Sequence, residues 1–106
     1  MAKESRTQGH HIEAFLEMLS AERGAARNTL DAYERDLKDF AGFLSTRDRA
    51  LDAATSRDIR DYLEGLTAQG LSASTAARRL SALRQFHGFL FAESVRKDDP
   101  CGSIEG

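Results

Sequence analysis

The sequence is poor in the residues that staple, kink or anchor a chain. It holds one cysteine, Cys101, in 106 residues, so no internal disulfide can form. A lone thiol in the C-terminal tail also gives no basis for a cysteine metal site or for thiol catalysis. There is one proline, and β-branched residues are few, which favours helix over sheet. No run of about 18 apolar residues occurs, so no segment reads as a transmembrane helix. The N-terminus is polar and lacks the apolar stretch of a signal peptide, so a cytoplasmic location is expected. A glycine-rich phosphate loop is missing, and so is a G-x-S-x-G elbow. From these absences we expect no cofactor, no metal, no small-molecule ligand and no membrane partner.

What is present is enough for one small domain. Hydrophobic residues make up 41% of the chain and charged residues 30%. The apolar residues are regularly spaced, which argues against disorder. The net charge of −2 hides an asymmetry. Between Gly70 and Lys97 stand Arg78, Arg79, Arg84, Arg96 and Lys97 against Glu93 alone. One face of the domain could therefore meet an anionic partner, although a solvated surface is the plainer reading of a charge run.

Residues 1–9 are polar and are expected to be a disordered N-terminal segment. Ile12, Phe15, Leu16 and Leu19 then mark one face of a helix from His10 to Arg23, which Gly24 ends. Asn28 or Thr29 can cap a second helix, whose apolar stripe is Leu30, Tyr33, Leu37, Phe40 and Leu44. Residues 45–54 read as a loop. Thr55 and Asp58 form a capping-box pattern ahead of a third helix with Ile59, Tyr62, Leu63 and Leu66 inside, closed by Gly70. Ser72 or Ser74 caps a fourth helix whose stripe is Ala76, Leu80, Leu83, Phe86 or His87, and Leu90. That helix is expected to end near Ala92 or Glu93. The tail from Arg96 to Gly106 carries the proline, two glycines and a charge run, and reads as the start of a linker. The whole is expected to be an all-α, compact bundle of four to five helices.

Few residues offer chemistry. His10, His11 and His87 lack the spacing of zinc ligands, and His87 reads as a packed histidine. Tyr33 and Tyr62 sit on apolar stripes, which suits core aromatics with hydroxyls at the edge. The carboxylates read as exposed, bridging to Arg35 and Lys38 along the helix surface. No constellation for catalysis emerges. The fourth helix is the exception. Thr75, Arg78, Arg79 and Ala82 share one face by helical spacing. Ser72, Ser74 and Thr75 place hydroxyls and free N–H groups at the positive helix end, a good setting for phosphate. Arg78 and Arg79 could reach phosphates or guanine edges, and a small Ala82 would permit close approach. An ordinary cap followed by two solvated arginines is the competing reading. Basic residues so near a helix N-terminus oppose its dipole, which tilts towards a functional reason.

Three blocks, "ARNTLDAYERDLKDFAGFL" (26–44), "GLSASTAARRLSALRQFHGFLF" (70–91) and "RKDDP" (96–100), resemble the N-terminal core-binding domain of tyrosine recombinases of the phage-integrase family, closest to the bacterial Xer group. The resemblance covers roughly residues 10–104. It implies a SAM-like bundle over residues 10–95, with 96–106 starting a linker to a catalytic domain that this chain lacks. It implies that helices two and four border the major groove of double-stranded DNA. By block, the contacts would be Asn28, Thr29, Ala32 and Arg35 on helix two, and Ser72, Ser74, Thr75, Arg78 and Arg79 on helix four. Thr29, Ser72 and Thr75 would serve phosphates. The further implied partners are a dif-like site and other recombinase subunits in a synaptic tetramer, with helix one near the partner. The family's chemistry uses a covalent tyrosyl–DNA intermediate without a cofactor, and its catalytic residues belong to the other domain. This chain is therefore expected to bind DNA but not to cut it, with a role in chromosome dimer resolution. A helical protein-interaction module, or the same domain of a phage or transposon integrase, stands as the alternative.

Overall fold

The computed structural model describes residues 2–104. Among these residues the chain forms four α-helices and one 3-10 turn, with no strand. The helices are α1 (Ala2–Arg23), α2 (Arg27–Ser45), α3 (Ser56–Ala68) and α4 (Ala73–Ala92), and the turn is Leu51–Ala53. Helical spacing of the apolar residues dictates this order, and the expected all-α bundle stands.

The stripes close over one core. Phe15 of α1, Phe40 of α2 and Phe86 of α4 are each fully buried. Phe15 meets Phe86 edge-on at 5.5 Å between ring centroids, and Phe40 meets Tyr62 of α3 edge-on at 5.0 Å. Such edge-to-face contacts set each quadrupole against its neighbour's positive rim. Leu37, Leu44, Ile59, Leu66, Leu83 and Leu90 fill the space between.

Helix ends follow the turn chemistry. Gly24 and Gly70 both adopt positive φ, at 60° and 84°, where a Cβ would be strained. At Gly70 the amide donates to Thr67 O and that of Leu71 to Leu66 O, which satisfies the last carbonyls of α3. Thr55 and Asp58 form the reciprocal capping box expected of them. Ser72, rather than Ser74, caps α4 by accepting from the Thr75 amide at 3.2 Å.

Four expectations need correction. The helix α1 begins at Ala2, eight residues ahead of the expected start at His10; Ala2, Lys3, Glu4, Arg6 and Gln8 favour helix, while Ser5, Thr7 and Gly9 do not. The cap of α2 is Ala26, with no side-chain bond, so Asn28 and Thr29 fall inside the first turn and are exposed. Residues 45–54 are more than a loop, because Leu51 and Ala54 are fully buried beneath the bundle. The 3-10 turn carries Leu51 inward, and His11 of α1 reaches Asp52 beside it at 3.4 Å.

The fourth correction concerns the tail. Residues 100–104 fold back against α3 and α4 instead of trailing away from the bundle. Cys101 and Ile104 are 5% and 8% exposed. The Ser56 hydroxyl donates to Pro100 O at 2.6 Å, and Arg84 Nη2 donates to Ile104 O at 2.6 Å. Apolar residues just beyond the charges at 96–99 decide the outcome, since burying Ile104 alone stabilises by about 2 kcal/mol.

Candidate nucleic-acid interface

The two helices singled out by the sequence meet at a buried carboxylate. Asp36 of α2 is 3% exposed. It accepts from Arg78 of α4 at both oxygens, Nε to Oδ2 at 3.1 Å and Nη2 to Oδ1 at 2.8 Å. Arg79 lies near the same carboxylate as an ion pair without a hydrogen bond, Nε to Oδ1 at 3.7 Å. The Arg79 Nη1 donates to Asp39 Oδ2 at 2.7 Å and to the Tyr62 hydroxyl at 3.1 Å. That hydroxyl in turn donates to Asp39 at 2.7 Å. Burial, with Asp39 as acceptor, pushes the phenol well above its ordinary range. Three helices are thus tied by one network of two arginines, two aspartates and a tyrosine.

The network explains why arginines stand in the second turn of α4. Their unfavourable interaction with the helix dipole is offset by Asp36, which is desolvated and therefore strongly attractive. It also separates their roles. The Arg78 side chain is 46% exposed and that of Arg79 only 21%. Arg79 is committed to the junction, whereas Arg78 keeps one edge of its guanidinium outward. Neither arginine is simply solvated.

Along α4, Gln85 follows Arg78 and donates to the Tyr33 hydroxyl at 2.8 Å. Advancing on α4 from Arg78 to Gln85 means retreating on α2 from Asp36 to Tyr33, so the helices cross in opposite sense. Asn28 and Thr29 lie roughly 12 Å along α2 on one side of the crossing, and Ser72 roughly 9 Å along α4 on the other. Arg35, exposed next to Asp36, stands near the crossing itself. The structure therefore places exposed Arg35 one residue before the carboxylate that Arg78 grips, and leaves Asn28 and Thr29 apart from Ser72, Ser74 and Thr75. Ser72 Oγ is within 3.2 Å of Ser74 Oγ and 2.9 Å of Thr75 Oγ1, a cluster of exposed hydroxyls. Ala32 is partly buried on α2. Ala82 is fully buried and faces the core, so it cannot ease an approach from outside.

Two of the carboxylates are not on the surface as expected. Asp36 is one, and its signal was its position: three residues after Tyr33 and four before Phe40, it falls on the buried stripe. Asp58 is the other, 1% exposed at the start of α3. Burial raises its pKa, but the Thr55 amide and the charges of Arg47 and Arg49 outweigh this and hold it below the ordinary value. Arg47 Nη1 lies 3.1 Å and Arg49 Nε 2.8 Å from its oxygens. This second cluster pins the connection between α2 and α3.

His87 is packed, as read from its stripe. It is fully buried, with Nδ1 at 2.8 Å from Leu83 O and 3.8 Å from Cys101 Sγ. Burial lowers its pKa to about 4 and raises that of Cys101 to about 12, so both are neutral near pH 7. Tyr33 and Tyr62 are core aromatics whose hydroxyls end in hydrogen bonds. Among the described residues no cluster of three metal-ligating side chains occurs, and no helix is long and apolar enough to cross a membrane.

A helical bundle with a charged crossing of its second and fourth helices is the class that fold and site define. The chain belongs to the phage integrase N-terminal SAM-like domain family, which matches residues 12–94. It is 58% identical over 95 residues to the tyrosine recombinase XerD of Rhizobium meliloti (strain 1021), covering 90% of this chain and 30% of that protein. It is 53% identical over 88 residues to the XerD of Caulobacter vibrioides, covering 83% of this chain and 29% of that one. Against the XerD of Brucella suis biovar 1 the identity is 51% over 94 residues, 89% of this chain and 30% of the relative. The chain spans about three tenths of the length of these curated relatives.

Proposed function

We propose that this chain is the DNA-holding domain of a XerD-type tyrosine recombinase and that it grips duplex DNA across the α2–α4 crossing. The observation that carries the reading is Arg78, half-exposed at the crossing, with exposed Arg35 on the facing helix and a hydroxyl-lined helix N-terminus a turn and a half away. Arg78 and Arg35 would meet phosphates or base edges, while Thr29, Ser72, Ser74 and Thr75 would serve phosphates and fix register. Asn28 and Ala32 would lie along the same groove, and Arg79 would act from behind. Membership of the phage integrase family and the names of the relatives support this assignment.

On the same reading, the intact protein works in the cytoplasm and exchanges strands through a covalent tyrosyl–DNA intermediate formed by residues outside this chain. It would act with partner subunits in a tetramer at a dif-like site, in chromosome dimer resolution. Titration of a labelled duplex at low and physiological salt tests the binding step. The affinity should fall steeply with salt, with a log–log slope of about −0.9 per phosphate neutralised. Joint replacement Arg35→Ala, Arg78→Ala should flatten that slope. Equal affinity and slope for the replaced chain would sink the reading.

A second reading has its own observation. The groove between α1 and α4 is floored by Met18 and Phe89 and rimmed by Glu13, Glu17, Glu22 and Glu93. Such a face repels phosphate and suits a protein partner instead.

A further inference from the structure

We propose that Asp36 is a positioning residue for DNA contact, holding the Arg78 guanidinium by its side so that the opposite edge faces the duplex. The proposal rests on the reading that α4 touches DNA, and it deepens that reading. A guanidinium carries five N–H donors in a rigid plane. Asp36 takes the Nε–H and one Nη2–H, at 3.1 and 2.8 Å. The remaining fork, both hydrogens of Nη1 and one of Nη2, points away from the carboxylate. That fork matches two adjacent acceptors, either the two oxygens of a phosphate or the O6 and N7 of a guanine.

Rigidity is what the pairing supplies. A free arginine loses rotamer entropy when it docks. Asp36 has already fixed the plane, and Asp36 is itself held by burial and by the nearby charge of Arg79. The arrangement has a counterintuitive electrostatic signature. Asp36 is an anion beside a proposed polyanion site, so its charge alone opposes binding. Neutralising it should tighten DNA if only charge matters, and weaken DNA if Asp36 works through Arg78.

The test measures binding of a fluorescently labelled mixed-sequence duplex to the whole chain and to four variants. Arg78→Ala should weaken binding about tenfold. Arg78→Lys keeps the charge but loses the fork, and should be nearly as weak as Arg78→Ala. Asp36→Asn should weaken binding several-fold despite removing a negative charge, and should add nothing in an Arg78→Ala background. Tighter or unchanged binding by Asp36→Asn, with Arg78→Ala weakened, would overturn the positioning role and leave the DNA reading intact. Unchanged binding by Arg78→Ala would overturn both. If circular dichroism finds Asp36→Asn unfolded, Arg78→Lys decides: wild-type affinity for it would refute the fork. Parallel titrations with G·C-rich and A·T-rich duplexes separate the two acceptors. A loss on both duplexes assigns phosphate, and a loss confined to G·C-rich DNA assigns guanine.

Discussion

At the scale of single residues, burial decides what a titratable group does. His87 stands at about 4 when folded, against an ordinary 6.5, because its ring is enclosed by Phe40, Phe86 and Cys101. The unfolded chain takes up that proton first as pH falls. Stability is therefore complete above about pH 6.5 and declines towards pH 4, by about 3 kcal/mol in all. Asp58 contributes outside this window, since its depressed carboxyl begins to lose stability only when the pH drops towards its ordinary 3.8. Urea unfolding at pH 6.5 and pH 4 should show this fall, and His87→Leu should abolish most of it. An equal fall in both proteins would refute the account of His87. The packing of His87 was legible in its stripe, whereas the ion-paired state of Arg78 and Arg79 was not. Helical spacing places residues on a face but says nothing of a carboxylate that reaches them from another helix.

At the scale of elements, boundaries followed cap chemistry where a cap was present. The Thr55–Asp58 box and Gly70 marked both ends of α3 in the sequence, and Ser72 opened α4. Helix α2 lacks a side-chain cap, so the nearest polar residues, Asn28 and Thr29, were misleading. Two helices end in left-handed residues that are not glycine: α2 at Asp48, φ 55°, and α4 at Ser94, φ 60°. At Ser94 the amide donates to Phe91 O at 3.1 Å and that of Val95 to Leu90 O at 2.9 Å. Such a turn favours glycine, because a Cβ strains it. Ser94→Gly should stabilise the domain by roughly 0.5–1 kcal/mol, the relief of strain exceeding the added chain entropy. Thermal melting should rise by a few degrees. A lower melting temperature would contradict the assigned backbone strain.

At the scale of the whole molecule, the bundle separates its charge. The α2–α4 crossing offers Arg35 and Arg78, and the α1–α4 groove offers Glu13, Glu17, Glu22 and Glu93. The tail closes the core from the side of α3, with Cys101 against His87. The sequence disclosed the bundle because its apolar residues recur at helical spacing through all four helices. It concealed the docked tail because Cys101 and Ile104 are too few to make a period. It marked the buried Asp36 only by its place on the apolar stripe, and the arginines that reach it from α4 were not legible there. The central claim is that DNA lies across the α2–α4 crossing. Backbone amide NMR shifts during titration with duplex DNA test it most directly. The account predicts shifts concentrated at 27–35 and 72–79, with residues 13–22 of α1 unmoved. Shifts centred on α1 and the acidic groove, with α4 silent from Ser72 to Arg79, would contradict it.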